Sequence, residues 1–479
     1  MLQYSNMKTL QELLKNIHIE ETKGALDVSV SVLSLSSKEV TTGTLFIALV
    51  GNVVDGHSFI PEAITNCASV IIHEKELSDY NPSVTYIRVA NTRDTLGKIA
   101  SAFYDNPSTK LKLIGITGTN GKTTTTTLLH QLFRNLGYNV GMIGTVVNKI
   151  NDESFESVRT TPDPITLNTL LADMVDARCE YCFMEVSSHA VSEKRIAELS
   201  FAGGVFTNLT LDHLDYHETF ENYRDAKKHF FNMLPESAFA LSNKDDANGE
   251  YMLSDTKARK YFYALKAEAD LPAGQVGFNE RLDTKLIGEF NAYNILAIYS
   301  TAVILGEDKE KVKEIIKNLD PVRGRFEYVK SASGVTGIVD YAHTPDALEN
   351  VLKTIESMKG SGKVISVFGC GGDRDKTKRP LMAKIGYDMS DILILTSDNP
   401  RTEKPDDILN DMKKGIENFP QDKVHIIPDR REAIKTACSL ATSGDYILLA
   451  GKGHETYQEV NGTKTHFDDI EELKKCFDR

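Results

Sequence analysis

Apolar residues along the chain fall into short runs separated by amphipathic stretches, and the two alternate almost throughout. Residues 44–50 and 68–73 are β-type runs with short helical segments between them, in a region that closes at the turn-rich Asp105-Asn106-Pro107-Ser108. Residues 1–17 carry apolar positions at helical spacing and predict an amphipathic helix without a secretory apolar core. A strand rich in Leu and Ile follows at 110–117, then a glycine turn and a helical run over 123–136. Further strands are predicted at 181–186, 204–207 and 239–242, with a helix at 223–233. A third texture begins near Pro321-Val322-Arg323-Gly324, where strands at 337–340, 363–368, 391–396, 423–427 and 445–449 alternate with helices such as 345–357. Alternation of this kind predicts parallel sheets with helices on both faces. We therefore expect an α/β protein of three domains, 1–107, 108–323 and 324–479, the second and third doubly wound, with ligands at the carboxyl ends of strands.

Length agrees with this division, since 479 residues at about 150 per domain make about three domains. The formal charge of −13 argues against nucleic acid or an anionic membrane surface as a bulk partner. No apolar run reaches the roughly 18 residues of a membrane span. Six cysteines in so long a chain imply no disulfide framework, and the Cys179/Cys182 pair reads as small buried hydrophobes of a cytosolic protein. A monomer in the cytoplasm, acting on small molecules, is the expectation. Any anionic substrate must then meet locally concentrated positive charge.

The sharpest motif is Gly118-Thr119-Asn120-Gly121-Lys122-Thr123-Thr124, between the predicted strand and helix. Glycines let backbone N–H groups turn inward around phosphate oxygens, and the helix start adds its own unpaired N–H groups. Lys122 can place a point charge on the β- and γ-phosphates, and the Thr123 hydroxyl can ligate Mg²⁺. The general pattern wants glycine five residues before Gly121, where this chain has Ile116. Strand, turn, Gly-Lys-Thr and helix together still point to ATP or GTP. Kinases, motors and ligases share this loop, so the chemistry stays open here.

Two further clusters could complete a metal site. Glu185, in Met184-Glu185-Val186-Ser187-Ser188-His189, ends an apolar strand, where a carboxylate can hold Mg²⁺ against a nucleotide or simply cap a helix. Asp212-His213-Leu214-Asp215-Tyr216-His217 packs four ligand-type residues into six, although a hydrogen-bonded turn would look the same. Lys227, ten residues on, reads by composition as an exposed helix lysine.

In the third domain four strand ends carry polar, turn-forming motifs. These are Asp340–Pro345, the glycine turn Gly369–Gly372 followed by Arg374, Lys376, Lys378 and Arg379, Asp398-Asn399-Pro400-Arg401, and Gly451-Lys452-Gly453-His454-Glu455. Loops placed this way converge on one crevice. Guanidinium groups there, Arg379 and Arg401, suit carboxylates because they bind them bidentately.

These motifs, with Thr160-Thr161-Pro162 and Gly288-Glu289-Phe290-Asn291 plus Asn294, resemble the Mur ligase family in order and spacing along essentially the whole chain. The resemblance implies an N-terminal uridine-nucleotide-binding domain, a central P-loop ATPase domain and a C-terminal Rossmann-like, amino-acid-binding domain. It implies a reaction of peptidoglycan precursor synthesis in the bacterial cytoplasm. ATP phosphorylates the terminal carboxylate of UDP-MurNAc-L-Ala-D-Glu, an amine of meso-diaminopimelate attacks the acyl phosphate, and ADP and phosphate leave. By matching positions, Gly118, Thr119, Asn120, Gly121, Lys122, Thr123, Thr124, Asn294, Arg325 and Asp340 would contact ATP. Lys122, Glu185, His213 and Lys227 would be catalytic. Thr123 and Glu185 would hold one Mg²⁺ and His213 a second, assisted by Lys227 as a CO₂-derived carbamate (N6-carboxylysine). Ser37, Thr160, Thr161, Ser187 and Arg195 would contact the UDP-linked substrate. The family's Asp-Ser-Arg stands here as Ser36-Ser37-Lys38, and Glu193 replaces a frequent Gln. Arg379, Asp398, Asn399, Pro400, Arg401, Gly451 and Glu455 would bind diaminopimelate, with Arg401 on its distal carboxylate and Glu455 facing its distal ammonium. L-lysine or another diamino acid, a sibling ligase of the folylpolyglutamate type, a P-loop kinase or switch, and a non-catalytic scaffold are the alternatives.

Overall fold

The structure, a computed structural model, describes residues 7–51, 54–266 and 276–478. It contains three large sheets. The first orders its strands Glu21–Lys23, Thr85–Arg88, Val70–His73, Thr44–Ile47 and Val32–Ser34; all neighbours are parallel except Glu21–Lys23 at the edge. Its two faces bury different sets, Leu45 and Ile47 on one side and Phe46 with Tyr86 on the other.

Of the helix expected over 1–17, the described residues 7–17 form only one turn. Residues 1–6 lie outside the described residues; Lys8–Thr9 instead pairs with Ser29–Val30, and the helix is the single turn Leu10–Leu13. Thr9 and Glu12 form a capping box that fixes the helix start at Leu10 and leaves Lys8–Thr9 extended.

The second sheet has nine strands and is centred on Lys112–Thr117, flanked by Tyr181–Glu185 and Phe201–Phe206, all parallel. Both faces are covered, as a parallel sheet requires. Leu113 packs with Phe201 and Phe230, while Ile114 and Ile116 pack with Leu128, Leu129 and Phe133 of helix Lys122–Leu136. Phe239–Asn243 and Arg259–Tyr263 extend one side, and a hairpin, Val147–Ile150 with Glu153–Glu156, extends the other.

The third sheet runs Glu327–Lys330, Thr336–Asp340, Tyr446–Ala450, Val364–Phe368, Ile392–Leu395 and Val424–Ile426, parallel except for Glu327–Lys330. Its strand ends bring residues 340, 368, 395 and 450 to one edge. Contacts cross between the three units. Lys194 pairs with Asp94, Asn120 Nδ2 donates to Asp346 at 2.9 Å, and Arg325 Nη2 donates to Thr123 Oγ1 at 3.1 Å. Among the described residues no helix is long and apolar enough to cross a membrane.

Candidate active site

The glycine loop lies between Lys112–Thr117 and Lys122–Leu136, at the carboxyl edge of the second sheet. Gly121 caps the helix at φ +86°, and a Cβ there would lie 2.5 Å from Asn294 Oδ1, so glycine is required on both counts. The loop is stitched to the next strand end: Thr119 N donates to Asn208 O, Asn120 N to Asn208 Oδ1, and Thr207 Oγ1 to Asn120 O. Lys122 Nζ donates to the loop's own carbonyls, Gly118 O at 2.9 Å and Thr119 O at 2.8 Å. Thr123 Oγ1, in the first turn of the helix, donates at 3.0 Å to Glu185 Oε2 at the end of the neighbouring strand.

Lys227 is not the exposed lysine its composition suggests. It is 1% exposed and donates to Gly118 O at 2.7 Å, the same oxygen that receives Lys122. Phe230, one turn along helix Phe220–Asn232, explains the placement. Cβ atoms on Gly115 and Gly204 would lie 2.5 and 2.8 Å from its ring, so two glycines in neighbouring strands form the socket that seats it. Burial, then the Lys122 charge, push the Lys227 amine well below its usual pKa. Burial lowers that of Lys122 too. His213 sits at φ +54° with Nε2 3.5 Å from Asp212 and its ring edge-on to His189. Loss of solvent, then the nearby positive groups, keep its imidazole neutral against the pull of Asp212.

Beside Glu185, Thr160 Oγ1 lies 3.0 Å from Thr145 Oγ1, and Thr161 Oγ1 donates to Glu185 O at 2.7 Å and accepts from Ser187 N. Ser187 Oγ caps its helix by accepting from Ala190 N. Arg195 is held within this cluster: Nε and Nη2 donate to Glu193 Oε2, and Nη1 to Thr161 O. Glu193 therefore already sits on the guanidinium. Ser37 stands apart in the first domain, buried, its hydroxyl donating to Glu62 at 2.6 Å.

Asp340 does not present a free carboxylate. Its oxygens accept from Phe326 N and Ala342 N, both at 2.7 Å, and burial raises its pKa. It lines, with Arg325, Asn294, Asn120, Thr124, Tyr341 and Asp346, a cavity of about 540 Å³ between the second and third sheets. That volume suits a small-molecule ligand.

The remaining strand ends of the third sheet meet as expected. Asn399 Nδ2 donates to Glu455 Oε2 at 2.8 Å, Lys452 Nζ reaches both Asn399 Oδ1 and Glu455 Oε2 at 3.2 Å, and a Cβ on Gly451 would lie 2.5 Å from Asp398 Oδ2. Burial, then Asp398, raise the Glu455 pKa. Arg401, following Pro400, adopts φ +52° and donates to Gly372 O at 2.8 Å. Arg379 is a correction to the expected pocket. It is 0% exposed, with Glu403 on both ends of its fork and Asp411 at 3.0 Å, so both terminal nitrogens of this guanidinium are held inside the protein, while its buried Nε has no partner among the described residues. The exposed guanidinium in this glycine turn is that of Arg374, which flanks Gly371 together with Arg401.

Sequence reasoning missed Asn208, Tyr223, Thr145 and Lys452, all of which hold site residues. Lys452 lay within a motif already singled out at a strand end, and Asn208 lay just before another. Thr145 and Tyr223 lay outside them.

Three family models match the chain: the Mur ligase family catalytic domain over 29–104, the Mur ligase middle domain over 116–302, and the Mur ligase glutamate ligase domain over 324–453. The chain belongs to the Mur ligase family. It is 51% identical to the UDP-N-acetylmuramoyl-L-alanyl-D-glutamate–2,6-diaminopimelate ligase of Cytophaga hutchinsonii and 50% identical to that of Bacteroides fragilis, covering 98% of this chain and 99% of each relative. A solved structure of a ligase of that name is 32% identical with a TM-score of 0.67 over 98% of this chain and 99% of its own. The MurF ligase of Thermotoga maritima in complex with ADP shares the fold at 20% identity and a TM-score of 0.60, covering 93% of this chain and 96% of its own.

Proposed function

We propose that this chain is an ATP-dependent amide ligase joining meso-2,6-diaminopimelate to the D-Glu carboxylate of UDP-MurNAc-L-Ala-D-Glu, in peptidoglycan precursor synthesis. The observation that carries the reading is identity of about half, from end to end, with relatives named for that ligation. The domain limits 1–107, 108–323 and 324–479 go with it, as do a monomeric state, a cytoplasmic location and small-molecule rather than nucleic-acid partners.

A carboxylate is a poor acylating agent. Its oxygen attacks the γ-phosphorus of ATP, and ADP leaves; the diaminopimelate amine attacks the acyl carbon, phosphate departs with its electron pair, and the ammonium proton is lost. Little covalent work falls to the protein, so positioning and charge neutralisation dominate. Lys122 would turn from the loop carbonyls onto the phosphates, the loop N–H groups would cradle them, and the cavity beside Asn294 and Arg325 would take the rest of the nucleotide.

Magnesium suits the residues present. The Thr123 hydroxyl and Glu185 carboxylate are hard oxygen donors 3.0 Å apart. Among the described residues no three His, Cys, Asp or Glu converge to hold a metal alone, which accords with an ion that draws its other ligands from phosphates and water. When bound, Mg²⁺ neutralises charge on the transferring phosphoryl group. His213, kept neutral, would serve a second ion. Burial favours the neutral amine of Lys227, the form that adds CO₂; an N–C bond would form, a proton would be lost, and a neutral buried amine would become an anionic carbamate suited to that ion.

Thr160, Thr161, Ser187 and Arg195 would contact the UDP-linked substrate, and Ser37 would contribute from the first domain. In the third domain, Asp398, Asn399, Gly451 and Glu455 would receive the ammonium end of diaminopimelate, and Arg401 with Arg374 its distal carboxylate; Arg379 would brace the turn from behind. The test is ATP-dependent phosphate release from the purified chain. Release should require UDP-MurNAc-L-Ala-D-Glu and the amine together. Release with neither present, or product that retains phosphate in place of an amide, would make the chain a phosphatase or a kinase instead.

A further inference from the structure

Glu185 is gripped by more than the P-loop hydroxyl. Its Oε1 accepts from Thr145 N at 2.8 Å, and its Oε2 accepts from Thr145 Oγ1 and from Thr123 Oγ1, both at 3.0 Å. The residue is 1% exposed, so these protein donors fix its orientation. Thr145 Oγ1 also lies 3.0 Å from Thr160 Oγ1. A hydroxyl has one proton to give. With that proton on Glu185, Thr145 can only accept from Thr160. The hydrogen bonds then run in one direction, from Thr160 through Thr145 to Glu185, where they meet Thr123, which in turn accepts from Arg325 of the third sheet's unit. The turn carrying Thr145 is itself tied down. Ser157 Oγ donates to Gly144 O at 2.5 Å, and a Cβ on Gly144 would lie 2.7 Å from Glu185 Oε1, so the backbone approaches the carboxylate as closely as glycine permits.

We infer that Thr145 is a positioning residue that couples occupancy of the UDP-substrate threonines to the geometry of the nucleotide-side carboxylate. The inference rests on the proposed function for the identity of the two ligands. A substrate group that takes the Thr160 proton removes a donor from Thr145, and the only other groups in the row that can respond are Glu185 and Thr123. The network is buried at Glu185 and Thr123, half-buried at Thr145 and Thr160, and charge-assisted at the carboxylate, so its members act together. Binding of one ligand thus biases the site of the other, as allosteric coupling requires.

The experiment measures, by calorimetry on the full chain, affinity for a non-hydrolysable ATP analogue with Mg²⁺, with and without saturating UDP-MurNAc-L-Ala-D-Glu. Wild type is expected to bind the analogue at least about fivefold tighter when the substrate is present. Thr145→Val keeps the shape and the backbone N–H but deletes the hydroxyl. It should lose that difference to within about twofold and lower kcat about tenfold or more, with the KM for diaminopimelate unchanged. Thr145→Ser should restore both. Should Thr145→Val fail to fold, Thr145→Ala makes the same deletion without added bulk. Full coupling in the hydroxyl-less variant overturns the inference, as does equal impairment of the Val and Ser variants, or no coupling in a wild type that binds both ligands. A wild type that does not bind the UDP-dipeptide overturns the proposed function itself, a distinguishable result.

Discussion

The phosphate-side cluster and the amino-acid pocket hold their charges in opposite ways. Around Gly118, Lys122 and Lys227 rest on neutral backbone carbonyls, and burial pushes both toward losing their protons. In the third domain the buried cations among the described residues are already matched. Arg379 lies between Glu403 and Asp411, Lys452 lies on Glu455, and Arg430 and Asp469 form a pair with neither side chain exposed. A carbonyl is a weak partner that an anionic ligand can displace, whereas a paired carboxylate is not given up cheaply. One region is arranged to receive new negative charge; the other is a stiff frame in which a few groups, Arg401 and Arg374 foremost, remain to recognise a ligand. The acidic balance of −13 describes neither.

The contrast predicts that deleting a cation from the first region harms activity alone, and deleting one from the second harms stability. Lys122→Ala should lower kcat/KM for ATP by about 10²–10³-fold, with a thermal midpoint within about 2 °C of wild type, read by steady-state kinetics and circular dichroism. A large fall in midpoint would mean that Lys122 is structural. Arg379→Met should do the reverse. It strands two carboxylates that keep some solvent, so the cost should sit at the lower end of about 3–5 kcal/mol in urea unfolding. A stable Arg379→Met protein with a raised KM for diaminopimelate would restore Arg379 to the binding surface.

A smaller effect sharpens the same point. Hydrogen bonds from Arg379 hold the Glu403 pKa at about 2, below its ordinary value of 4.5. A depressed carboxylate stabilises the fold above its unfolded pKa, and that share is lost as pH falls from about 4.5 toward 2. The thermal midpoint of wild type should drop through that window. Arg379→Met should show a shallower acid limb, and parallel limbs would deny the coupling.

Much of this was legible in the sequence because it is local. The P-loop, the Glu185 strand end and the four polar strand ends of the third domain each lie within a handful of consecutive residues. What escaped depends on distant partners. The spacing around Lys227 says surface helix; its burial follows from the socket that Gly115 and Gly204 make for Phe230, more than a hundred positions earlier for Gly115. Arg379 looked like a ligand group because nothing near it in sequence shows that Glu403 and Asp411 fold back onto it. The helix expected over 1–17 was undone by a cap at Thr9 that ordinary apolar spacing does not reveal.

The central claim is that Arg401 of the third domain reads a second carboxylate, and discrimination between amino acids tests it most directly. Ligation should be measured with ATP, UDP-MurNAc-L-Ala-D-Glu and either meso-diaminopimelate or L-lysine. Lysine lacks the distal carboxylate, so wild type should favour diaminopimelate in kcat/KM by about tenfold to hundredfold, the worth of one charge-assisted hydrogen-bonded pair, and Arg401→Ala should erase most of that preference while leaving the KM for ATP unchanged. Equal use of lysine by wild type, or an undiminished preference in Arg401→Ala, would contradict the account.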